Sequence, residues 1–340
     1  MSATASSPVR SDAAIEVVLQ VDDLVVGLPL GRGHVARAVN ALSFSLGKGE
    51  IFAIVGESGA GKSLAALSIL RLVPPQARLS GRIWFHGQDL LAISPAELRA
   101  VRGNAISMIY QDPMTALNPV WTIGEQINET VRLHQQIGRK AAADRTLEVL
   151  ALARLPNPRQ VARSYPHQLS GGMLQRALIA LALSCGPEIL IADEPTTALD
   201  VTVQAQILAV LLGLRDTLGL SIILITHDMG VVARSADRVL VMYAGRAVES
   251  GSVLDVLPQP LHPYTDALLR SVDLTGPRGQ LAAIPGAPPP LGAAPAACAF
   301  HPRCSYVQAK CMQAEPKLRA VADRRSVRCD FPLQQVSADE

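Results

Sequence analysis

The spacing of hydrophobic positions changes several times along this chain. Short, largely apolar runs at residues 51–55, 105–109, 189–192 and 221–226 predict strands, and full burial is the usual reason for such runs. Partial alternation at 15–26 and 38–46, with a short run at 82–85, predicts half-exposed strands of a small antiparallel sheet. Helical spacing predicts helices at 64–72, 123–137, 141–153, 172–184 and 201–218, with a further strand at 238–242. We therefore expect an α/β fold with a parallel core, a small antiparallel sheet and a helical insert.

The composition changes near residue 251. A Pro-rich segment begins at residue 257, and five of the eleven residues 285–295 are proline, which excludes a helix or a central strand there. We expect a loose tail at 1–14, a main domain at 15–250 with its helical insert at about 115–185, and a C-terminal extension at 251–340.

A glycine-rich motif follows the first buried strand and precedes the first helix. The segment 56–63 reads GESGAGKS, which matches the phosphate-loop pattern in the strand–loop–helix context that the pattern requires. Its glycines let backbone N–H groups and a helix N-terminus surround a polyphosphate. We expect Lys62 to contact the β- and γ-phosphates and Ser63 to bind Mg²⁺. The predicted nucleotide-binding residues of this loop are Gly56, Ser58, Gly59, Gly61, Lys62 and Ser63.

Polar side chains end three other apolar strands. Asp193 and Glu194 close the run at 189–192, where a buried carboxylate is costly unless it is paired or binds a cation. We expect Asp193 to hold Mg²⁺ through water and Glu194 to act as the general base on the attacking water. His227 ends the run at 221–226 and can reach a γ-phosphate, and Gln111 follows the run at 105–109.

These motifs and the stretch LSGGM at 169–173 resemble the motifs of the ATP-binding cassette (ABC) family. They occur in the same order as in that family, over about residues 15–250. The resemblance implies a P-loop NTPase fold with a RecA-like parallel core. It also implies that Glu194, His227 and Gln111 are catalytic and that Gln111 binds Mg²⁺ as well. The signature residues Ser170, Gly171 and Gly172 and the D-loop residue Asp200 would complete an ATP site on a companion cassette.

One feature departs from this family pattern. An aromatic residue near the first strand usually stacks on adenine, and the region 25–30 has none. We expect Leu28, or a neighbour such as His34, to supply a weaker platform.

Charge and hydropathy narrow the function further. The 340 residues contain 31 Lys plus Arg against 29 Asp plus Glu, so the net charge of +2 gives no argument for nucleic acid. We expect no signal sequence and no membrane-spanning segment, and therefore a cytosolic chain whose membrane role comes from its partners.

Four of the five cysteines lie in the extension, at Cys298, Cys304, Cys311 and Cys329, while Cys185 lies in an apolar run and is expected to fill the core. A cytosolic location disfavours structural disulfides. The extension resembles the C-terminal region of oligopeptide and dipeptide permease ATPases, some of which carry a [4Fe–4S] cluster on such cysteines. A zinc site with His301 as a possible ligand is the main alternative, and free structural thiols are the third.

The resemblance implies the ATP-hydrolysing subunit of a bacterial ABC importer of di- or oligopeptides. Its expected partners are two transmembrane permease subunits, a second homologous ATPase subunit and, through the permease, an extracytoplasmic solute-binding protein, at the cytoplasmic face of the inner membrane. Import of nickel or another small solute, and a soluble ABC ATPase without a transport role, are the alternatives.

Overall fold

The structure, a computed structural model, describes residues 16–31, 34–197, 199–272, 283–293 and 296–333. The predicted tail at 1–14 lies outside these residues. The strands are β1 (Val17–Gly31), β2 (His34–Gly47), β3 (Ile51–Val55), β4 (Arg78–Phe85), β5 (Gln88–Asp89), β6 (Ile106–Ile109), β7 (Ile189–Asp193), β8 (Ser221–Thr226), β9 (Arg238–Tyr243), β10 (Arg246–Ser252), β11 (Arg319–Ala322) and β12 (Arg325–Val327). The helices are α1 (Lys62–Ile69), α2 (Pro95–Val101), α3 (Pro113–Ala116), α4 (Ile123–Gln135), α5 (Arg139–Leu152), α6 (Pro158–Arg163), α7 (Gly171–Ala182), α8 (Val201–Leu218), α9 (Met229–Ser235), α10 (Val253–Val256) and α11 (Pro263–Val272).

The larger sheet has a parallel centre in the order β9-β3-β8-β7-β6. The strands β3, β7 and β8 are buried along their whole length, which explains why their sequences are apolar without alternation. Because parallel strands share a direction, the loops after β3, β6, β7 and β8 leave the same edge of the sheet. Ligand sites of open α/β sheets lie at this carboxyl edge.

A second sheet and a helical layer cover the two faces of the parallel centre. The antiparallel sheet β2-β1-β4-β5 packs its apolar side against β3 and α1. Helices α4, α5 and α7 bury their apolar faces in a core that they share with α8 and the main sheet. The helix α8 is long and apolar enough to cross a membrane by length and composition alone, but Ile207, Leu211 and Leu214 on one side of it are buried in this core.

The extension returns to the edge of the main sheet. Strand β12 pairs antiparallel with β10, and β10 itself spans residue 251, the predicted domain boundary. Buried Glu249 of β10 accepts a hydrogen bond from Arg325 of β12 at 3.2 Å and two more from the backbone N–H groups of Leu261 and His262, both at 2.9 Å. The carboxylate is therefore fully partnered, which a buried charge requires.

An aromatic cluster joins the extension to the core. Tyr243 of β9, Tyr264 of α11 and Phe300 pack with ring centroids 4.7–5.3 Å apart. All three side chains are buried, so the Pro-rich extension shares its core with the sheet.

Candidate active site

The phosphate loop lies between the end of β3 and the start of α1. Gly61 has φ +97°, and a Cβ there would lie 2.5 Å from the carbonyl oxygen of Ala38, so only glycine fits. The Lys62 ammonium donates hydrogen bonds to the carbonyl oxygens of Gly56 at 2.7 Å and Glu57 at 3.0 Å. Burial lowers the pKa of Lys62, and the nearby carboxylates of Glu194, Asp193 and Glu57 oppose that effect. The loop thus presents a cation and a helix N-terminus at the carboxyl edge of the sheet.

Oxygen ligands suited to Mg²⁺ meet beside this loop. The Ser63 hydroxyl donates a hydrogen bond to Asp193 Oδ1 at 3.0 Å. Burial raises the pKa of Asp193, the hydrogen bond from Ser63 lowers it, and the Glu194 charge raises it further. A hydroxyl and a carboxylate with room for water are ligands that Mg²⁺ takes at phosphate sites, so these residues fit the ion. Such a cation would offset the negative charge of Glu194, which raises the pKa of Asp193.

Glu194 is the residue on which three other polar groups converge. Its Oε2 accepts hydrogen bonds from Gln111 Nε2 at 3.1 Å and from Thr197 Oγ1 at 2.8 Å, and its Oε1 lies 3.4 Å from His227 Nδ1. The Glu194 backbone has φ +47°, an uncommon conformation for a residue with a side chain. Such strain is typical of functional sites, where it fixes the direction of a side chain. The structure thus brings together all three predicted catalytic residues.

A pocket of about 340 Å³ opens in front of these groups. Among its lining residues are Ser58, Gly59, Gly61, Lys62 and Ser63 of the loop, with Gln111 and Glu194. Leu28 of β1, one of the two expected base platforms, lines the pocket, while exposed His34 is not among its described lining residues. The extension adds Leu291, and a Cβ at neighbouring Gly292 would clash with Leu30 of β1. The extension therefore closes one side of the pocket.

The predicted signature and D-loop residues lie on two exposed helix starts. Ser170 caps α7 by accepting a hydrogen bond from the Met173 N–H at 3.4 Å, and Asp200 caps α8 through the Val203 N–H at 3.0 Å. A Cβ on Gly172 would lie 2.8 Å from Val203, which gives that glycine a packing reason within the chain. Neither helix start is part of the pocket lining beside Lys62. Ala198 of the D-loop lies outside the described residues.

The four cysteines of the extension are free thiols in one region. The N–H of Cys298 donates to the carbonyl oxygen of Cys311 at 3.1 Å, and burial raises the pKa of Cys329 to about 11, with the other three cysteines adding to the shift. Over the described ranges, no three His, Cys, Asp or Glu side chains come close enough to hold a metal ion. The predicted iron–sulfur and zinc sites therefore lack support from this geometry. Cys185 is buried in the core, as expected.

Comparison with known proteins places this site in a family. A family model described as "ABC transporter" matches residues 39–197, and one described as "Oligopeptide/dipeptide transporter, C-terminal region" matches residues 248–311. The dipeptide transport ATP-binding protein DppD of Bacillus subtilis is 49% identical over 93% of this chain and 95% of its own length. A probable peptide ABC transporter ATP-binding protein of Sinorhizobium fredii, y4tR, is 46% identical over 94% of this chain and 96% of its own. The chain belongs to the ATP-binding proteins of the ABC transporter family.

Solved structures agree with this assignment. The ATP-binding cassette MJ0796, in a dimeric post-hydrolysis state bound to ADP and Pi, superposes with a TM-score of 0.62 at 26% identity. The match covers 69% of this chain and 98% of that cassette. The predicted P-loop NTPase fold is confirmed, and this ABC protein is an ATPase. The roles of the individual site residues stay predictions that the geometry supports.

Three residues near the site were not anticipated. Thr197 bonds Glu194, Leu291 lines the pocket, and Arg303 binds Glu57 of the phosphate loop at 2.6 and 2.9 Å. A hydroxyl residue three positions after a strand-end carboxylate was a local signal for Thr197. The other contacts join segments that are far apart in sequence, and no local pattern announces them.

Proposed function

We propose that this ABC ATPase is the ATP-hydrolysing subunit of an importer of di- or oligopeptides. The convergence of Lys62, Asp193, Gln111 and His227 around Glu194 at one sheet edge carries the chemistry of the proposal. The extension, which matches the oligopeptide/dipeptide transporter C-terminal region, and the peptide transport names of the relatives support the substrate class.

Each residue of the site has one proposed task. Loop N–H groups and Lys62 bind the β- and γ-phosphates, which releases the Lys62 ammonium from the two carbonyls it now contacts. Ser63, Asp193 and Gln111 would hold Mg²⁺, which would neutralise phosphate charge. Glu194 takes the proton of the attacking water, and His227 aligns Glu194 and holds the γ-phosphate. Thr197 and Gln111 keep the Glu194 carboxylate in place before water arrives.

The complete ATP site is proposed to need two cassettes. The α7 start has exposed Ser170 and Gly171 and half-buried Gly172, and it offers unpaired N–H groups. It is absent from the pocket lining of its own chain over the residues the structure describes. An exposed N-terminus of this kind suits the γ-phosphate of a nucleotide held by a companion. The solved relative MJ0796 is described as dimeric, which supports the same arrangement. We expect the companion to be a second, different ATPase subunit.

A groove in the helical subdomain is the proposed docking site for the permease. It has a volume of about 490 Å³ and lies beside the exposed apolar side chains of Val120 (73% exposed) and Trp121 (42% exposed). Arg132 and Glu125 line the same groove, so the surface is apolar with a polar rim, as protein interfaces are. A short chain segment connects this groove to Gln111. A movement at the groove would therefore reach the γ-phosphate side of the ATP site. With such docking, the chain would act as a peripheral subunit at the cytoplasmic face of the membrane.

Reconstitution with its permease subunits and solute-binding protein tests the proposal. We expect ATP hydrolysis to rise when a dipeptide-loaded binding protein is added and labelled dipeptide to enter the vesicles. Stimulation by a nickel-loaded or other solute-loaded binding protein, with none by peptide, would favour the alternative substrates. Hydrolysis that ignores every permease and binding protein would favour an ABC ATPase without a transport role.

A surface variant tests the docking groove separately. Trp121→Ala is expected to keep basal ATP hydrolysis and lose most of the stimulation by permease and loaded binding protein, since aromatic anchors dominate interfaces. Tyr306→Ala, which removes another half-exposed aromatic side chain from the extension, is the matched control and should keep the stimulation. Equal stimulation in both variants would contradict the assigned surface.

An iron–sulfur cluster on Cys298, Cys304, Cys311 and Cys329 is the proposed group of the extension, with zinc as the alternative. Their gathering in one region supports this proposal, while their present side-chain geometry does not. Iron, sulfide and zinc analysis of anaerobically purified protein distinguishes the cases. Loss of the metal in Cys304→Ser but not in Cys185→Ser would support a metal site on these cysteines. Metal-free protein that folds and works normally would instead show that the four cysteines are free thiols.

A further inference from the structure

The phosphate loop is held from outside by the C-terminal extension. Arg303 donates from Nη1 and Nη2 to the two carboxylate oxygens of Glu57 at 2.6 and 2.9 Å. Glu57 directly follows Gly56, the first glycine of the loop. A bidentate pair of this kind fixes direction as well as distance, which a single contact cannot do.

The arginine is itself immobilised. Its side chain is only 4% exposed, its Nε donates to the carbonyl oxygen of Pro285 at 2.9 Å, and its Nη2 lies 3.4 Å from the carbonyl oxygen of Ile284. The guanidinium also lies 5.8 Å from the Tyr243 ring centroid and 6.0 Å from that of Phe300. All three guanidinium nitrogens therefore have partners, and the group holds one position.

The backbone of Glu57 is anchored as well. Its N–H donates to the Tyr264 hydroxyl at 2.8 Å, and its carbonyl oxygen accepts from the Lys62 ammonium at 3.0 Å. Tyr264 lies on α11 and is fully buried. Residue 57 thus joins the phosphate-binding lysine to two side chains of the C-terminal region.

We infer that Arg303 is a positioning residue that holds the phosphate loop in its ATP-binding form through Glu57. The extension is then a working part of the ATP site, in addition to any metal-binding or docking role. ATP binding would then not have to order the loop, because the Arg303–Glu57 pair, here called the clamp, already holds the loop in place. The inference rests on the proposed function only in taking this loop as the ATP site.

The test compares KM and kcat for ATP in the assembled complex. Arg303→Met, which keeps the length and loses the charge, is expected to raise KM about tenfold, a usual size for coupling between sites, while kcat changes less than about twofold. Arg303→Lys keeps the positive charge but cannot donate two parallel hydrogen bonds to Glu57. Its KM should therefore lie between those of the wild type and Arg303→Met. Glu57→Gln, which leaves Arg303 packed and is the variant least prone to misfold, should raise KM in the same direction.

A double variant separates clamping from unrelated effects. If Arg303 acts through Glu57, adding Glu57→Gln to Arg303→Met should change KM little further, because the pair is already broken. Arg325→Met is the matched control, since Arg325 is another buried arginine of the extension and pairs with Glu249 instead. It should lower the thermal midpoint and leave KM for ATP unchanged.

Three results would overturn the inference: an unchanged KM in Glu57→Gln and Arg303→Met, single effects that multiply in the double variant, or an equal rise of KM in Arg325→Met. A complex that fails to hydrolyse ATP in every form, wild type included, would instead count against the proposed function.

Discussion

Glu194 shows most clearly how the surroundings prepare one residue for one task. Its backbone is held at φ +47°, and its two carboxylate oxygens face Gln111, Thr197 and His227. These contacts come from the ends of three neighbouring parallel strands, so the sheet itself fixes their spacing. The carboxylate is thereby aimed before substrate binds, which is how fixed groups lower a reaction barrier.

Replacing this carboxylate should separate binding from chemistry. Glu194→Gln keeps the size and the contacts with Thr197 and His227, and we expect kcat for ATP to fall at least about 100-fold because a general base contributes that much or more. ATP binding should remain, so the variant should retain unhydrolysed ATP in the complex. Glu188→Gln, a change at a partly exposed carboxylate paired with His86, is the control and should retain full activity. Persisting hydrolysis in Glu194→Gln would reject the assigned base.

Leu291 should contribute to nucleotide affinity from the extension. It lines the same pocket as Leu28, one of the two residues expected to supply the base platform. Leu291→Ala removes an apolar contact worth about 1 kcal/mol, which is about fivefold in KM for ATP. Leu254→Ala, at an exposed leucine of α10, should leave KM unchanged. Equal KM values for all three proteins would remove Leu291 from the site.

At the scale of elements, the extension is joined to the cassette by a strand pair and a buried core. Strand β12 adds to β10, while α11 and residues 298–304 pack Tyr264 and Phe300 against Tyr243. The junction also contains His262, whose Nδ1 accepts a hydrogen bond from the Tyr264 N–H at 3.0 Å. Burial lowers the pKa of His262 to about 3 from 6.5, so the ring is neutral in the folded protein.

This histidine should make the extension sensitive to acid. Because the folded pKa is depressed, the unfolded chain binds the extra proton, and stability is lost as pH falls from about 6.5 towards 3. Between pH 7.5 and pH 5 the loss in the free energy of unfolding attributable to His262 is about 2 kcal/mol. His262→Asn, whose Oδ1 can accept the same hydrogen bond, should lose about that much less over the same interval by chemical denaturation. An unchanged loss in His262→Asn, equal to that of the exposed control His167→Gln, would contradict this assignment.

The elements also show which features local sequence can predict. Helix α8 and strand β8 were placed correctly at both ends, because apolar spacing and turn signals coincide at Val201, Leu218, Ser221 and Thr226. Helix α1 was predicted at 64–72 and spans Lys62–Ile69. It begins inside the motif because the end of the phosphate loop is also its first turn. It ends before Arg71, whose φ of +50° is not helical.

The first two strands extend beyond their predicted ends for a different reason. Pairing of β1 and β2 continues to Gly31 and His34, where the residues are exposed and the burial-driven alternation has stopped. The clamp from Arg303 to Glu57 spans 246 positions, and no periodicity in one segment reports a partner so far away. The grouping of the motif residues was therefore predictable, whereas the contacts of the extension required the fold.

At the scale of the whole molecule, the chain is proposed to offer half of each of two ATP sites. The pocket beside Lys62 lacks the signature residues among its described lining, and the capped start of α7 is exposed elsewhere on the surface. A companion cassette would complete both halves. Closure around two nucleotides would then move the helical subdomain and its docking groove together, which is how hydrolysis can reach a permease.

ATP stoichiometry in the assembled complex tests this shared site most directly. In the Glu194→Gln background with a catalytically blocked companion, the complex should retain two ATP. Lys62→Ala disables the site held by this chain. Gly171→Asp disables the companion's site by placing a carboxylate at the α7 start, where it favours the helix and repels a γ-phosphate. Gly138→Asp, at the exposed start of α5, is its control.

We expect one retained ATP for Lys62→Ala, one for Gly171→Asp, none for the two changes combined, and two for Gly138→Asp. If each pocket belonged to a single chain, Lys62→Ala and Gly171→Asp would affect the same site. The combined variant would then still retain one ATP, and that result would contradict an ATP site shared between two chains.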